Sequence, residues 1–297
     1  MIPPLEIIVL LVMLGLLSKT LDSTLGLGYG TMLAPILLLL GYSVTRVVPA
    51  VLLSEFLSAA ITALFHRAMG NIASDSESRD FKVSTLLSVM GVLGGLAGVA
   101  IAFSSTDMFV TVYVSLTVIV TGLLVVRGFR WIFTWKRITL FGFIASLNKS
   151  ISGGGYGPIV AGGQILTGRD GTKAIGTTAI AEAATTATSY ILYEVLGRTP
   201  VTVDTFLGLE GPLLLGALLS APISAYILKK VDPRRLIPIV GSAAVLLGLY
   251  TLMSTVFDST IATIIVLAIF SVLVLGLLLV RANGSAHKQR RDKEETQ

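Results

Sequence analysis

The chain has no cysteine and only two histidines, His66 and His287, among its 297 residues. Without cysteine it has no disulfide, no thiol nucleophile and no thiolate metal ligand. Two separated imidazoles supply neither a zinc site nor a serine–histidine hydrolase, so the chain is not read as an enzyme, and neither a metal nor a cofactor is expected. No G-x-x-x-x-G-K-[ST] run is present either, which removes ATP-driven work by this chain alone. Charge is also scarce: 13% of residues are Asp, Glu, Lys or Arg, against about 25% in a soluble domain.

What fills the space is apolar. Hydrophobic residues make up 54% of the chain and the mean hydropathy is +0.87. This is the composition of an integral membrane protein, with the lipid bilayer as its solvent. The net charge of +5 does not point to nucleic acid, because the basic residues sit in short loops beside apolar segments, where membrane orientation accounts for them. The start, MIPPLEIIVLLVMLGLLSK, has no basic n-region and carries Glu6. It reads as a retained first segment with its N-terminus outside.

Apolar segments fall near Leu5–Leu21, Thr31–Gly41, Val44–His66, Val83–Phe103, Met108–Val126, Ile138–Leu147, Pro158–Thr167, Thr172–Leu196, Phe206–Leu228, Leu236–Val256 and Thr260–Val280. Most have the ~20 residues that cross a bilayer. Thr31–Gly41 and Pro158–Thr167 reach only about half of a ~30 Å hydrocarbon core. Each follows a glycine motif directly: LDSTLGLGYGTMLAP from Leu21, and NKSISGGGYGPIV from Asn148. The simplest fold for such a pair is a re-entrant hairpin, in which a longer helix descends to mid-membrane, the glycines turn, and the short helix returns.

Loop charges agree with two such hairpins. They place Arg67, Arg79, Lys82, Arg127, Arg130, Lys136, Arg137, Arg169, Lys173, Lys229, Lys230, Arg234, Arg235 and the tail from Arg281 on the cytoplasmic side, and only Arg46 and Arg198 outside. That is the asymmetry of the positive-inside rule. The first hairpin then enters from outside and the second from the cytoplasm.

The two motifs also align. At an offset of 127, Leu21 to Gly70 needs no gap and pairs Gly26 with Gly153, Gly28 with Gly155, Tyr29 with Tyr156, Gly30 with Gly157 and Glu55 with Glu182. The expected fold is therefore all-α and polytopic, made of two inverted repeats, residues 1–135 and 136–258. Each repeat has a re-entrant hairpin and three transmembrane helices. An extra C-terminal transmembrane helix at 259–281 and a polar cytoplasmic tail at 282–297 follow. Inverted repeats with broken helices are a recurrent design of secondary transporters.

Irregular backbone survives at membrane depth only where it is buried in protein or lines a polar cavity. Helix N-termini aimed into such a turn favour an anion. The expected substrate-binding residues are Gly28, Tyr29 and Gly30 at the first turn, and Asn148, Lys149, Ser152, Gly153, Gly154, Gly155, Tyr156 and Gly157 at the second. Lys149 supplies the full positive charge, either to a small anionic substrate or to an ion pair with Asp22. Glu55, Ser58, Thr62 and His66 recur at helical spacing, as do Thr178, Glu182, Thr185 and Ser189, giving each helix one polar stripe. Glu55 and Glu182 then either exchange protons or accept bonds from the amides of a glycine turn. Asp22 belongs with them as a coupling or hairpin-supporting residue.

GVLGGLAG at Gly91–Gly98 holds two GxxxG spacings, which serve close packing within the chain or a homodimer contact. Trp131 and Trp135, among basic residues, read as an interfacial anchor.

GLGYGTMLAPILLLLG and SGGGYGPIVAGGQILTG, each followed by a span with a central polar patch (VVPAVLLSEFLSA and AIGTTAIAEAATTA), resemble the TauE/SafE family of sulfite and organosulfonate exporters. Gly26, Gly28, Gly30 and Pro35 match the first family motif, and Gly153, Gly154, Gly155, Gly157 and Pro158 the second. Leu27 and Tyr29 depart from the triple glycine common there. The resemblance implies a plasma-membrane exporter of a small sulfur oxyanion or sulfonate. A passive anion channel and a non-transporting membrane scaffold are the alternative readings.

Overall fold

The computed structural model describes residues 3–25, 28–73, 75–127, 134–166, 169–197, 202–227, 233–257 and 268. Gly26, Leu27, Trp131, Gly168, Arg198, nearly all of the expected span at 259–281 and the whole tail lie outside the described residues.

All regular structure among the described residues is helical: α1 (Leu5–Leu25), α2 (Tyr29–Leu39), α3 (Val44–Ala68), α4 (Arg79–Ser104), α5 (Asp107–Arg127), α6 (Trp135–Ser152), α7 (Tyr156–Leu166), α8 (Gly171–Val195), the short α9 (Val203–Thr205), a π-turn at Phe206–Glu210, α10 (Gly211–Ile227) and α11 (Pro233–Phe257). Backbone amides in lipid have no other partner than their own helix. Where helices begin in loops, side chains take over. Ser78, Thr134 and Asp170 accept from Phe81 N, Arg137 N and Lys173 N at the starts of α4, α6 and α8.

Among the described residues, Val44–Ala68, Arg79–Ser104, Asp107–Val126 and Val203–Ser220 are long and apolar enough to cross a bilayer. Leu17, Leu96, Val120, Leu140 and Ile191 expose large apolar side chains, the surface that hydrocarbon solvates. The buried core gathers around α2 and α3, with Tyr29, Leu33, Leu37, Val47 and Val51. A smaller cluster lies around α7, with Leu87, Ala145, Tyr156 and Val160.

The offset of 127 reappears in the backbone. α2 and α7 have 11 residues each, α3 and α8 have 25 each, and all their bounds differ by that number. Gly28 and its match Gly155 carry φ of 82° and 85°, a region glycine enters without steric cost.

The helices meet in corresponding pairs. α4 packs on α6 and α10 on α1. The first pair is parallel, since Gly142 sits against Leu87 and Met90 and Gly98 against Leu147 and Ser150. The second is parallel too, from Pro3 beside Gly208 to Val12 and Leu16 beside Gly216. α3 and α8 run antiparallel, with His66 near the end of one beside Gly176 near the start of the other. α5 and α11 are likewise antiparallel, with Gly122 near Gly241 and Gly248 near Ser115. The glycines of Gly91–Gly98 serve this packing. A Cβ on Gly91 would lie 2.4 Å from Thr185 Oγ1, and one on Gly94 would lie 2.7 Å from Phe143 O. The motif is therefore spent inside the chain and is not free for a homodimer.

The two glycine breaks, 1–2 and 6–7, touch each other. A Cβ on Gly30 would fall 1.7 Å from the carbonyl oxygen of Gly153, and one on Gly154 would fall 3.0 Å from Thr31 N. The amide of Gly155 donates to Thr31 Oγ1 at 3.0 Å. Gly30→Ala is expected to destabilise the protein by about 1–3 kcal/mol or more, the range of overpacked cores. Gly162→Ala, which meets nothing within 4 Å, is expected to be neutral or slightly stabilising. Thermal unfolding of the detergent-solubilised protein checks the pair, and equal midpoints would show that the contact does not constrain the fold.

Candidate functional site

The C-terminal turn of α6 sets the site. Gly153 ends that helix in the left-handed region, with φ 74°, and its N–H donates to Lys149 O at 2.7 Å. Lys149 thereby projects from the last turn into the middle of the bundle, where it has no solvent exposure. Its ammonium bonds to Glu55 Oε2 from α3, itself fully buried. Glu182 Oε1 from α8 stands 3.6 Å from the same nitrogen. Two helices matched at the offset of 127 thus hold one lysine between their matched acids. A buried ion pair stripped of one partner typically costs ~3–5 kcal/mol, so these three groups fold as a unit.

Asp22 pairs elsewhere. Its Oδ2 accepts from Lys19 Nζ at 2.8 Å, one turn back on α1, and its Oδ1 accepts from Gly28 N at 2.9 Å. One carboxylate therefore closes the first glycine break and anchors a second ammonium. Lys19 Nζ also lies 5.7 Å from the Tyr29 ring centroid, a cation–π contact. Carboxylate oxygens of Asp22, Glu55 and Glu182 lie within 4.8 Å of one another. Three carboxylates so spaced call for positive charge between or beside them, and Lys19 and Lys149 provide it.

Three members of this cluster, Lys19, Asp22 and Glu182, line a cavity of about 450 Å³. Lys19 and Glu182, both buried, mark its inner end beside Asp22, and the exposed Phe65 and Met69, with His66, at the end of α3, mark its mouth. Ser58 and Thr62 line the α3 wall between them. Beside the mouth, Arg169 Nη2 donates to Asp80 Oδ1 at 2.6 Å and Arg169 also bonds Gln164, whose amide donates to Thr178 Oγ1 at 3.0 Å. The start of α4, the end of α7 and α8 are tied together there.

The expected site residues divide into three groups. Asp22, Glu182 and Gly157 line the cavity, and Lys149 and Glu55 are fully buried outside its lining, joined to it through the contact of Lys149 with Glu182. Gly28, Tyr29, Gly30, Gly153, Gly154 and Gly155 are buried where the two breaks meet. Tyr29 has its hydroxyl occupied by Ser54 Oγ at 3.1 Å, and Tyr156 is fully buried in the core around α7. Asn148 turns to α5, where its Oδ1 accepts from Tyr113 OH. Ser152 is used locally, accepting from Gly154 N at 3.2 Å.

Two expectations need correction. Lys149 pairs with the glutamates and not with Asp22, because Asp22 is held by Lys19 and Gly28 N on its own side. Among the described residues, the side chains that accept from the amides of the glycine turns are Asp22, Ser152 and Thr31 and not Glu55 or Glu182, which leaves both glutamates to the ammonium. Sequence reasoning missed Tyr113, Thr31, Ser23 and the Asp80–Arg169–Gln164 network. Thr31, two residues after Tyr29, was close enough to the motif to be found. The network joins residues 89 apart, and no linear spacing signals it.

A family model described as Sulfite exporter TauE/SafE matches residues 11–251. The chain is also 26% identical, over 286 residues that cover 90% of each sequence, to a Bacillus subtilis (strain 168) protein described as "Probable membrane transporter protein YtnM". No solved structure matches the chain. With its broken helices, its buried ion cluster and most of its length inside the family match, the chain belongs to the sulfite exporter TauE/SafE family.

Proposed function

We propose that this protein is a secondary carrier of a small anion, an organosulfonate or sulfite, which it exports across the plasma membrane from a site at the ion cluster. The observation that carries the reading is Lys149: a fully buried ammonium 3.6 Å from Glu182, which lines the cavity, and held by two carboxylates that protons can neutralise. The substrate class comes from the family.

The proposed architecture is a pair of inverted repeats with re-entrant hairpins α1–α2 and α6–α7, the N-terminus outside and the tail cytoplasmic. Three things support it. Helix bounds recur at one offset. The self-matched pairs α3/α8 and α5/α11 are antiparallel, while the exchanged pairs α1/α10 and α4/α6 are both parallel. A two-fold axis lying in the membrane plane generates that pattern. Finally, α2 and α7, at 11 residues, span only ~16 Å each.

Charge balance gives the mechanism. Asp22, Glu55 and Glu182 face Lys19 and Lys149, so three carboxylates stand against two ammonium groups and leave one net negative charge. An anion is repelled by that balance. One proton on the cluster brings it to neutral and a second makes it positive, and a proton on Glu55 or Glu182 also releases Lys149 to donate to the incoming oxyanion. Lys19 stays with Asp22. Anion and proton therefore bind together. The cavity is lined by Lys19, Asp22 and Glu182 of this cluster, and Gly30 and Gly153 of the two breaks are closed against each other, which favours a carrier over a passive pore.

A thermal-shift screen of the purified protein against sulfite, sulfoacetate, isethionate, taurine and sulfate tests the reading. A true substrate stabilises by mass action, about 2.7 kcal/mol at a hundredfold excess over Kd. Lys149→Gln is expected to remove the shift. Absence of stabilisation by every anion between about pH 5 and 8 rejects the proposal.

Reciprocal linkage fixes the sign of the pH dependence. Because a bound anion favours protonation, protonation favours the anion, and affinity rises as pH falls, by up to about tenfold per unit for one coupled proton. Glu182→Gln, which carries no titrating group, is expected to bind with a flattened pH profile. An unchanged slope in both Glu182→Gln and Glu55→Gln assigns the proton elsewhere.

A further inference from the structure

The cavity is lined by Ser58, Thr62 and His66 of the first polar stripe and not by the residues that match them in the second half. On α3, Ser58, Thr62 and His66 face it, across from Lys19 and Ser23 on α1. The residues 127 positions later are Thr185, Ser189 and Tyr193 on α8, and Ser146 and Ser150 on α6. Those five are shut against one another. Thr185 Oγ1 and Ser146 Oγ are 3.3 Å apart, and Ser189 Oγ and Ser150 Oγ are 2.6 Å apart. Tyr193 OH donates to Ser150 O at 3.0 Å and its ring rests on Phe103 at 5.5 Å. The same wall is parted in one half of the molecule and closed in the other.

The closed wall is built to part. Each hydroxyl already has an acceptor on its own helix: Thr185 on Ala181 O, Ser189 on Thr185 O, Ser146 on Gly142 O and Ser150 on Ser146 O, at 2.7 to 2.9 Å. Separation of α6 from α8 therefore orphans none of these four hydroxyl protons; the Tyr193 hydroxyl alone gives up its acceptor on α6, and it and the exposed lone pairs take water. A seam of interlocked leucines would instead lose its full burial on opening.

We propose that α6 and α8 separate along this seam to form a second, opposite-facing vestibule for the same small anion, leading from Tyr193 to Lys149. As it opens, Lys19 and Ser23 close on Ser58 and Thr62, reproducing in the first half the contact now seen in the second. This rests on the carrier reading above, and it adds the residues that line the unseen side.

The absence of cysteine makes the test direct. Single Thr62→Cys and Ser189→Cys variants of the full chain, in membrane vesicles of each orientation, are labelled with a membrane-impermeant maleimide, with and without isethionate. Thr62→Cys is expected to label from one face only. Ser189→Cys is expected to label from the other face, with its rate rising when isethionate slows the labelling of Thr62→Cys. Oxidation of a Ser150→Cys/Ser189→Cys pair is expected to abolish isethionate flux, and reductant to restore it. Ser189→Cys unlabelled from both faces under conditions where Thr62→Cys labels, or flux unaltered by the disulfide, overturns the proposal. If the unmodified protein shows no anion flux at all, the carrier reading falls, while the labelling rates still report whether the seam opens.

Discussion

Two stretches of backbone meet in this protein at a distance that excludes side chains, with Gly30 against the carbonyl of Gly153. Much else follows from that approach. A backbone interrupted inside an apolar bundle exposes amides that no water can reach, so partners must be brought in. Asp22 serves Gly28, Ser152 serves Gly154, and Thr31 on one break serves Gly155 on the other. Asp22 brings a negative charge into the interior and Lys19 compensates it. Lys149, one turn before the second break, brings a positive charge, and Glu55 and Glu182 compensate that. The ion cluster is thus the electrostatic consequence of breaking two helices at one place.

Much of this was legible in the linear chain, for identifiable reasons. Helix existence was readable because lipid leaves apolar segments one means of satisfying their backbone, and Thr31–Gly41 and Pro158–Thr167, observed as the 11-residue helices α2 and α7, were recognisably short. The repeat was readable because the same local constraints select the same residues twice, glycine at 28 and 155 and acid at 55 and 182. The polar stripes were readable from helical spacing.

What escaped was the pairing. Lys149 is adjacent in sequence to Asn148 and four residues from Gly153, and the offset of 127 sets it opposite Asp22, so an ion pair between the hairpin tips was the natural expectation. The actual partner depends on the depth at which α3 and α8 present Glu55 and Glu182, which is set by how far each helix slides past its neighbour. Glycines at 94, 98, 122, 216 and 248 govern that slide by letting specific turns interlock, and sequence spacing does not report which turn meets which. The same reasoning explains why Asn148, three residues before Ile151 in a polar motif, turns out to serve α5 through Tyr113.

The difference between the halves is more informative than their likeness. A molecule with a faithful two-fold axis in the membrane plane would present the ion cluster equally to both sides, either sealed from both or open to both; the first cannot load an anion and the second leaks it. A carrier with this design must therefore break its symmetry in every state that opens the cluster to one side. Here the break is local and can be named. His66 stands at a cavity mouth, while Tyr193, its match, is bonded to Ser150 and packed with a tilted ring against Phe103. Gly176 leaves space beside His66, where a Cβ would lie 3.1 Å from Nδ1. On the proposed reading, the two arrangements differ by the exchange of one hydroxyl seam for another, with the glycine contact at the centre as the fulcrum. Interchanging two such seams alters little total burial, and so the two facing states can lie close in free energy, which a reversible carrier requires.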